Sequence, residues 1–142
     1  MSDTFYQKLT AIRHHIHQHP EVSEKEYNTT RFIKEQLQNI GIEPLDYPLK
    51  TGVIAEIGHG YPIIALRADI DALPIFEKTG LAYASDNGAM HACGHDFHQT
   101  SLLGAAERLK QQEATLKGTV RLIFQAAEEH FQGGHQVIAA GG

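Results

Sequence analysis

The chain begins with apolar residues at helical spacing. Steps of four, three and four residues separate Phe5, Leu9, Ile12 and Ile16. This period predicts an amphipathic helix that ends before Pro20. A second helix is predicted to begin with a capping box at Ser23–Glu26, in which each side chain bonds the other residue's backbone amide. We expect that helix to end at Gly41 in the left-handed conformation.

Three apolar, β-branched runs predict strands, namely Val53–Ile57, Ile63–Ala68 and Thr119–Phe124. A glycine-rich turn separates the first two runs, so they are predicted to pair as a hairpin. The second run lacks polar alternation, which predicts a strand covered on both faces. A helix is predicted after the histidine-rich segment near residue 95, and Gly133 opens a last short one. This alternation of helices and strands predicts the α/β class.

Composition narrows the range of functions. The chain has 142 residues, of which 42% are hydrophobic and 20% charged, enough for one domain with a core. Its formal net charge is −5 and its basic residues do not cluster, so we expect no nucleic-acid partner. The apolar runs are too short to cross a membrane. The polar N-terminus, without an apolar signal core, predicts a cytoplasmic protein, and one cysteine cannot form an internal disulfide.

Two segments carry groups that bind metal ions. The single cysteine, Cys93, lies between His91 and His95, and the adjacent carboxylates Glu128 and Glu129 follow the third predicted strand. Thiolate, imidazole and carboxylate groups bind borderline-soft divalent metals. A further carboxylate beside such ligands can take a proton from a water that the metal activates. The two segments together predict a metal-dependent hydrolase site.

Three aspartates lie near these segments. Asp69 and Asp71 follow the second predicted strand, and ligands of open α/β sheets gather outside the carboxyl ends of strands. Either residue could instead cap a local turn. Asp96 is placed to cap the helix that follows Cys93. The start of that helix is expected to lower the pKa of the Cys93 thiol.

Four histidines crowd the end of the first predicted helix, namely His14, His15, His17 and His19. Cationic side chains interact favourably with the C-terminal end of a helix dipole. A solvated helix face therefore explains the run without a functional site.

Two other classes of function stay open from the residues alone. The chain could be a metal-binding segment without catalysis. It could also be a thiol hydrolase with Cys93 as the nucleophile and His91 or His95 as the base. The thiol mechanism would leave both Glu128 and Glu129 without a role, and no oxyanion-binding arrangement is evident from the sequence.

Three segments closely resemble the M20 metallopeptidase family: Arg67–Pro74, Gly88–Asp96 and Phe124–Glu129. The most similar branch contains amidohydrolases that act on N-acyl amino acids, such as aminoacylase, hippurate hydrolase, N-acetyldiaminopimelate deacetylase and the plant auxin-conjugate hydrolases. The resemblance implies a three-layer α/β/α zinc-peptidase-like catalytic domain. It also implies cleavage of the amide bond of N-acyl (N-acetyl) amino acids or related small amides by a metal-bound water.

The resemblance assigns roles to residues of this chain. Cys93, His95 and Glu129 would be ligands of a site for two divalent ions, for which zinc, manganese, cobalt and nickel are candidates. Glu128 would be the general base and acid. Asp71 and Asp96 would lie behind the ligands, with Asp96 orienting their loop. The chain departs from the branch at residue 126, where an alanine stands in place of the usual proline.

Members of this family are considerably longer than this chain. The resemblance therefore describes residues 1–142 as the N-terminal portion of the catalytic domain. Two further histidine ligands and a smaller domain for dimerisation and substrate closure would lie outside it. The complete enzyme would then be a homodimer, and we expect the isolated chain to hydrolyse no N-acyl amino acid at a useful rate.

Overall fold

A computed structural model of the chain describes residues 3–142. The elements in this range are α1 (Asp3–Gln18), α2 (Tyr27–Asn39), β1 (Val53–His59), β2 (Ile63–Asp69), α3 (His95–Gln111), β3 (Gly118–Gln125) and α4 (Gly133–Ala140). A short 3-10 helix, Glu113–Thr115, precedes β3. All three predicted strands are present, and the predicted α/β class is confirmed. None of the described helices is long and apolar enough to cross a membrane.

Strand β3 lies between β1 and β2. It runs antiparallel to β1, with Val53 opposite Phe124, and parallel to β2, with Asp69 opposite Gln125. The predicted hairpin of β1 and β2 is therefore wrong. Both backbone edges of β3 find partners in this order, which satisfies the amides and carbonyls of a buried strand. As a result, the segments that follow Asp69 and Gln125 leave the same end of the sheet side by side.

The predicted coverage of β2 on both faces is also wrong for the described residues. Ile63 and Ile64 are 42% and 60% exposed, whereas Ala68 is buried. Helix α3 packs against β2, but no other described strand pairs with its outer edge. Burial depends on which elements lie next to a strand, and an apolar run does not specify them.

Helix α2 begins at Tyr27 and lacks the predicted capping box. Ser23 and Glu26 point away from the helix and bond to other segments. Glu21 caps the first turn instead, because its carboxylate accepts the backbone N–H groups of Asn28 and Thr29. The prediction is wrong because tertiary partners use both of the polar side chains that the local pattern assigned to the cap.

The core lies between the sheet and the helices α2 and α3, and α1 packs on α3. Its buried members include Ile12, Ile16, Ile33, Leu37, Val53, Ile57, Leu102, Leu103, Leu122 and Phe124. Gly104 allows α1 to approach α3, because a Cβ atom there would lie 3.0 Å from Leu9 Cδ1. Gly41 follows α2 with a φ of +79°, as predicted.

Candidate metal centre

The structure brings Cys93, His95 and Glu129 together. One donor atom from each residue lies within 4.8 Å of the other two. Cys93 and His95 lie on either side of Gly94, whose φ of +88° turns the chain into α3. Glu129 approaches from the turn after β3. The parallel pairing of β2 and β3 brings that turn to the same end of the sheet.

The two glutamates face one nitrogen of His95. Glu128 Oε2 and Glu129 Oε1 each lie 3.9 Å from His95 Nε2. The side chain of Glu128 is 32% exposed and that of Glu129 is 24% exposed. Glu128 therefore combines contact with solvent and proximity to the donor nitrogen of His95, as a group that exchanges protons with a small molecule requires.

Asp71 fixes the orientation of the His95 ring. His95 Nδ1 lies 2.8 Å from the backbone oxygen of Asp71 and 3.3 Å from its Oδ1. With Nδ1 held in this way, Nε2 faces Glu128 and Glu129. Burial lowers the pKa of His95, but the hydrogen bonds to Asp71 outweigh burial and raise the pKa to about 9.

The buried carboxylate of Asp71 also joins the two segments of the site. Asp71 Oδ2 accepts a hydrogen bond from Ser23 Oγ at 2.6 Å and another from the backbone N–H of Glu129 at 2.9 Å. Burial raises the pKa of Asp71, but the bonds from His95, Ser23 and Glu129 outweigh burial and lower the pKa to about 2. Asp71 therefore stays ionised and holds the turn of Glu129 against the end of β2. Sequence reasoning missed Ser23 because it assigned that residue to a helix cap.

Asp96 connects the histidine-rich loop to α1. Its Oδ2 accepts Arg13 Nε at 2.8 Å and lies 2.8 Å from His17 Nδ1. Asp96 is not the N-cap of α3, because Gly94 takes that position, but Asp96 Oδ1 accepts the backbone N–H of Phe97 at 3.0 Å within the first turn. His17 is buried, and its Nε2 lies 3.0 Å from Glu77 Oε1. The local sequence pattern did not identify His17 as a buried residue, because it is one of four histidines at the end of the same helix.

The Cys93 thiol is exposed. Partial desolvation and the neighbouring Glu129 carboxylate raise the pKa of Cys93, opposite to the direction that a helix N-terminus predicts. Desolvation comes first among these causes, and the nearby carboxylates act in the same direction. His91 is buried with neither ring nitrogen hydrogen-bonded, and burial lowers its pKa to about 4. Neither residue thus shows the activated thiolate and oriented base of a thiol hydrolase.

The donor set fits a borderline-soft divalent metal. It combines sulfur, imidazole nitrogen and carboxylate oxygen, the groups that bind zinc and its neighbours in the first transition series. The Oε1 atom of Glu129 is buried and accepts no hydrogen bond. A buried acceptor without a donor is unfavourable, and a cation placed between Cys93, His95 and Glu129 would satisfy it.

A second group of donors shares His95. Asp69, His95 and His98 also offer atoms within 4.8 Å of one another. Arg67 binds Asp69 Oδ1 at 2.7 Å, whereas Asp69 Oδ2 lies 4.0 Å from His98 Nδ1. Sequence reasoning did not select His98, which lies one helical turn after His95 and could have been found from that spacing.

Comparisons with known proteins show that the chain is similar to part of several hydrolases. The family model described as peptidase family M20/M25/M40 matches residues 65–142. The chain is 55% identical over 141 residues to the N-acetyl-L-cysteine deacetylase of Bacillus subtilis, covering 97% of the chain and 34% of the relative. It is 44% identical over 137 residues to the N-acyl-L-amino acid amidohydrolase of Geobacillus stearothermophilus, covering 94% of the chain and 37% of the relative.

A solved structure supports the same relationship. The chain superposes with a TM-score of 0.96 on the crystal structure of a dinuclear metal-binding peptidase from Bacillus subtilis. The two are 53% identical, and the match covers 99% of this chain and 40% of the other. The predicted fold class, that of the catalytic domain of such enzymes, is confirmed. The chain spans about a third of the length of the curated relatives it matches.

Proposed function

Because the chain belongs to peptidase family M20/M25/M40, we propose that it is part of a metal-dependent hydrolase that cleaves the amide bond of N-acyl amino acids. The convergence of Cys93, His95 and Glu129 beside Glu128 carries this proposal. The substrate class is supported by two relatives, a deacetylase of N-acetyl-L-cysteine and an amidohydrolase of N-acyl-L-amino acids.

Cys93, His95 and Glu129 would supply ligands to two divalent ions, since the similar solved structure is a dinuclear metal-binding peptidase. Ions bound there would lower the pKa of a water and polarise the carbonyl of the scissile amide. The donor types favour zinc, manganese, cobalt or nickel over magnesium and calcium.

Glu128 is the proposed general base and acid. Its Oε2 accepts a proton from the attacking water, and the same oxygen then donates a proton to the leaving nitrogen. Asp71 holds His95 Nδ1, so that Nε2 faces the site. Asp96 fixes the first turn of α3 through Arg13 and His17.

The described residues would form the N-terminal portion of the catalytic domain. The remaining ligands, and a smaller domain for dimerisation and substrate closure, would lie outside these 142 residues. This division is supported by the share of the relatives that the chain covers.

The test is metal-dependent turnover by the full-length protein. Purified protein would be stripped with a chelator, reloaded with zinc, manganese, cobalt or nickel, and given a panel of N-acetyl amino acids while free amine is measured. We expect release only after reloading. A loaded protein that releases no amine from any panel member would favour a metal-binding role without catalysis. Release that survives chelation and is blocked by alkylation of Cys93 would favour a thiol hydrolase.

A further inference from the structure

Glu26 is a buried acid that forms no ion pair with any described residue. It lies at the N-terminal boundary of α2, and its side chain is fully buried. It takes part in none of the ion pairs found within 4.0 Å between residues 3 and 142. Burying an unpaired carboxyl group is unfavourable, and burial raises the pKa of Glu26. An apolar side chain would avoid this unfavourable burial. The hydrogen bonds of the Glu26 carboxyl group therefore indicate a structural role that an apolar side chain could not fulfil.

The carboxyl group of Glu26 joins three segments that are distant in sequence. Its Oε1 accepts the backbone N–H of Ala127 at 2.8 Å. Its Oε2 accepts the hydroxyl of Thr51 at 3.0 Å. Through these two bonds, α2 is tied to the segment before β1 and to the turn after β3.

Ala127 has a conformation that alanine rarely adopts. Its φ is +52°, in the left-handed region that is sterically unfavourable for a residue with a Cβ atom. Strand β3 ends at Gln125, so the amide of Ala127 has no partner in the sheet. The bond to Glu26 satisfies this buried amide and favours the left-handed conformation.

The two residues after Ala127 are Glu128 and Glu129. The Ala127 carbonyl accepts the backbone N–H groups of Gln132 and Gly133, both at 3.2 Å, which closes the turn that carries the two glutamates. The backbone conformation at Ala127 therefore sets the direction in which both carboxylates leave the sheet.

We propose that Glu26 is a positioning residue for Glu128 and Glu129, and that it acts by holding the amide and the left-handed conformation of Ala127. This inference rests on the proposed function of the two glutamates. The hydrogen bonds of the Glu26 carboxyl group go to Thr51 and Ala127 and do not reach the donor atoms of the site. Its effect passes through one backbone amide.

Conservative variants separate this role from general stability. In Glu26→Gln, Oε1 can still accept from Ala127, and Nε2 can donate to the Thr51 hydroxyl, so both contacts survive. Glu26→Ala removes both contacts, and Thr51→Val removes only the contact that does not reach the turn. Ile33→Val, in the same helix and equally buried, is the control for a loss of stability without a change at the turn.

The experiment uses the full-length, metal-loaded protein. Its measurements are kcat and KM on an N-acetyl amino acid, bound metal by mass spectrometry, and hydrogen exchange of the peptide that contains residues 126–133. For Glu26→Ala we expect kcat to fall by roughly ten- to a hundredfold, because small displacements of catalytic groups have effects of that size. We also expect little change in KM and faster exchange in the turn. Glu26→Gln and Thr51→Val should stay close to wild type in kcat and in exchange of the turn.

A second substitution, at Ala127, tests whether Glu26 acts through the conformation of that residue. In the Glu26→Ala background, Ala127→Gly should restore part of kcat, because glycine adopts the left-handed conformation without strain. If Glu26→Ala does not fold, Glu26→Asp, which is too short to keep both bonds, takes its place. Equal kcat and equal exchange in Glu26→Ala and Ile33→Val would overturn the proposal. If the wild-type protein cleaves no N-acyl amino acid, the proposed function fails, and exchange of the turn and bound metal still decide whether Glu26 positions it.

Discussion

His95 Nδ1 contacts Asp71 at two atoms, the backbone oxygen at 2.8 Å and Oδ1 at 3.3 Å. The backbone contact orients the ring, and the carboxylate adds a negative charge behind it. Carboxylates placed behind histidine ligands typically strengthen metal binding. Because the Asp71 carboxylate also accepts the amide of Glu129, one residue orients two of the three donors, His95 through its backbone oxygen and Glu129 through its side chain.

Replacing Asp71 with asparagine should weaken metal binding by roughly ten- to a hundredfold. The amide keeps the size of the side chain but removes the charge, and it cannot accept from Ser23, His95 and Glu129 as a carboxylate does. Metal affinity would be measured by competition with a chromogenic chelator. Asp86→Asn, at an exposed position, is the matched control. Unchanged affinity in Asp71→Asn would show that the negative charge behind His95 has no influence on the metal.

The Cys93→Ser variant should fold normally and bind less metal. Cys93 is exposed, so its loss removes no core packing, whereas a hydroxyl is a far poorer ligand than a thiolate. Bound metal per chain and the thermal midpoint would be measured on the same preparation. A serine variant with full metal content would remove Cys93 from the set of ligands.

Glu128→Gln and Glu129→Gln should have different effects, the first on turnover and the second on metal binding. Glu128→Gln should retain metal and lose turnover by about a hundred- to ten-thousandfold, because an amide cannot accept the proton. Glu129→Gln should lose metal. Each variant serves as the control for the other, with metal content and kcat measured in parallel. Near-normal turnover in Glu128→Gln would place the base on another residue, and the neighbouring His130 would be tested next.

Glu77→Gln should show a pH-dependent loss of stability. Burial raises the pKa of Glu77, but the bonds from Thr79, Ser85 and His17 outweigh burial and lower the pKa to about 2. A carboxyl group with a lowered folded-state pKa contributes stability above its unfolded value of 4.5 and loses it as the pH falls toward 2.

The variant should therefore be less stable than wild type at pH 7, and the difference should shrink below pH 4.5. Urea unfolding over this pH range measures it. Glu35→Gln, on the exposed face of α2, should show no comparable trend. A difference for Glu77→Gln that stays constant down to the acid limit of folding would contradict the assignment.

Two adjacent glycines should respond in opposite ways to alanine. A Cβ atom at Gly133 would lie 1.7 Å from the Ala126 backbone oxygen, whereas at Gly134 the nearest atom is Gln125 Oε1 at 3.7 Å. Gly133→Ala forces the backbone to move and should destabilise the protein by about 1–3 kcal/mol or more. Gly134→Ala, within α4, should be neutral or stabilising by up to about 1 kcal/mol. Equal thermal midpoints for the two variants would show that the turn after β3 adapts.

The sequence predicts the elements of this fold better than their arrangement. The period of α1 and the apolar run of β3 are local properties, and both elements form where they were expected. The position of β3 between the other strands depends on pairings between distant residues, which no local pattern reveals. Ser23 and Glu26 show the same limit. Their spacing matches a helix cap, yet their bonds go to Asp71 and Ala127.

The candidate site follows the same division. Cys93, His95 and Glu129 could be selected because their residue types indicate metal chemistry. His17 and Glu26 could not be selected by residue type. A histidine within a run of histidines and a glutamate before a helix are both common on solvated surfaces. Their importance comes from buried partners, Asp96 and Ala127, that lie about 80 to 100 positions further along the chain.

The order of the strands also determines when this protein can fold during its synthesis. Both pairings of the sheet involve β3. Val53 and Asp69 therefore cannot pair with Phe124 and Gln125 until those two residues have left the ribosome. Until then β1 and β2 lack the strand that pairs with both of them in the sheet. Closing loops of this length is slow relative to forming local helices. The helices α1, α2 and α3 can therefore form before the sheet. The sheet forms, and Glu129 reaches its position, only after β3 has been synthesised.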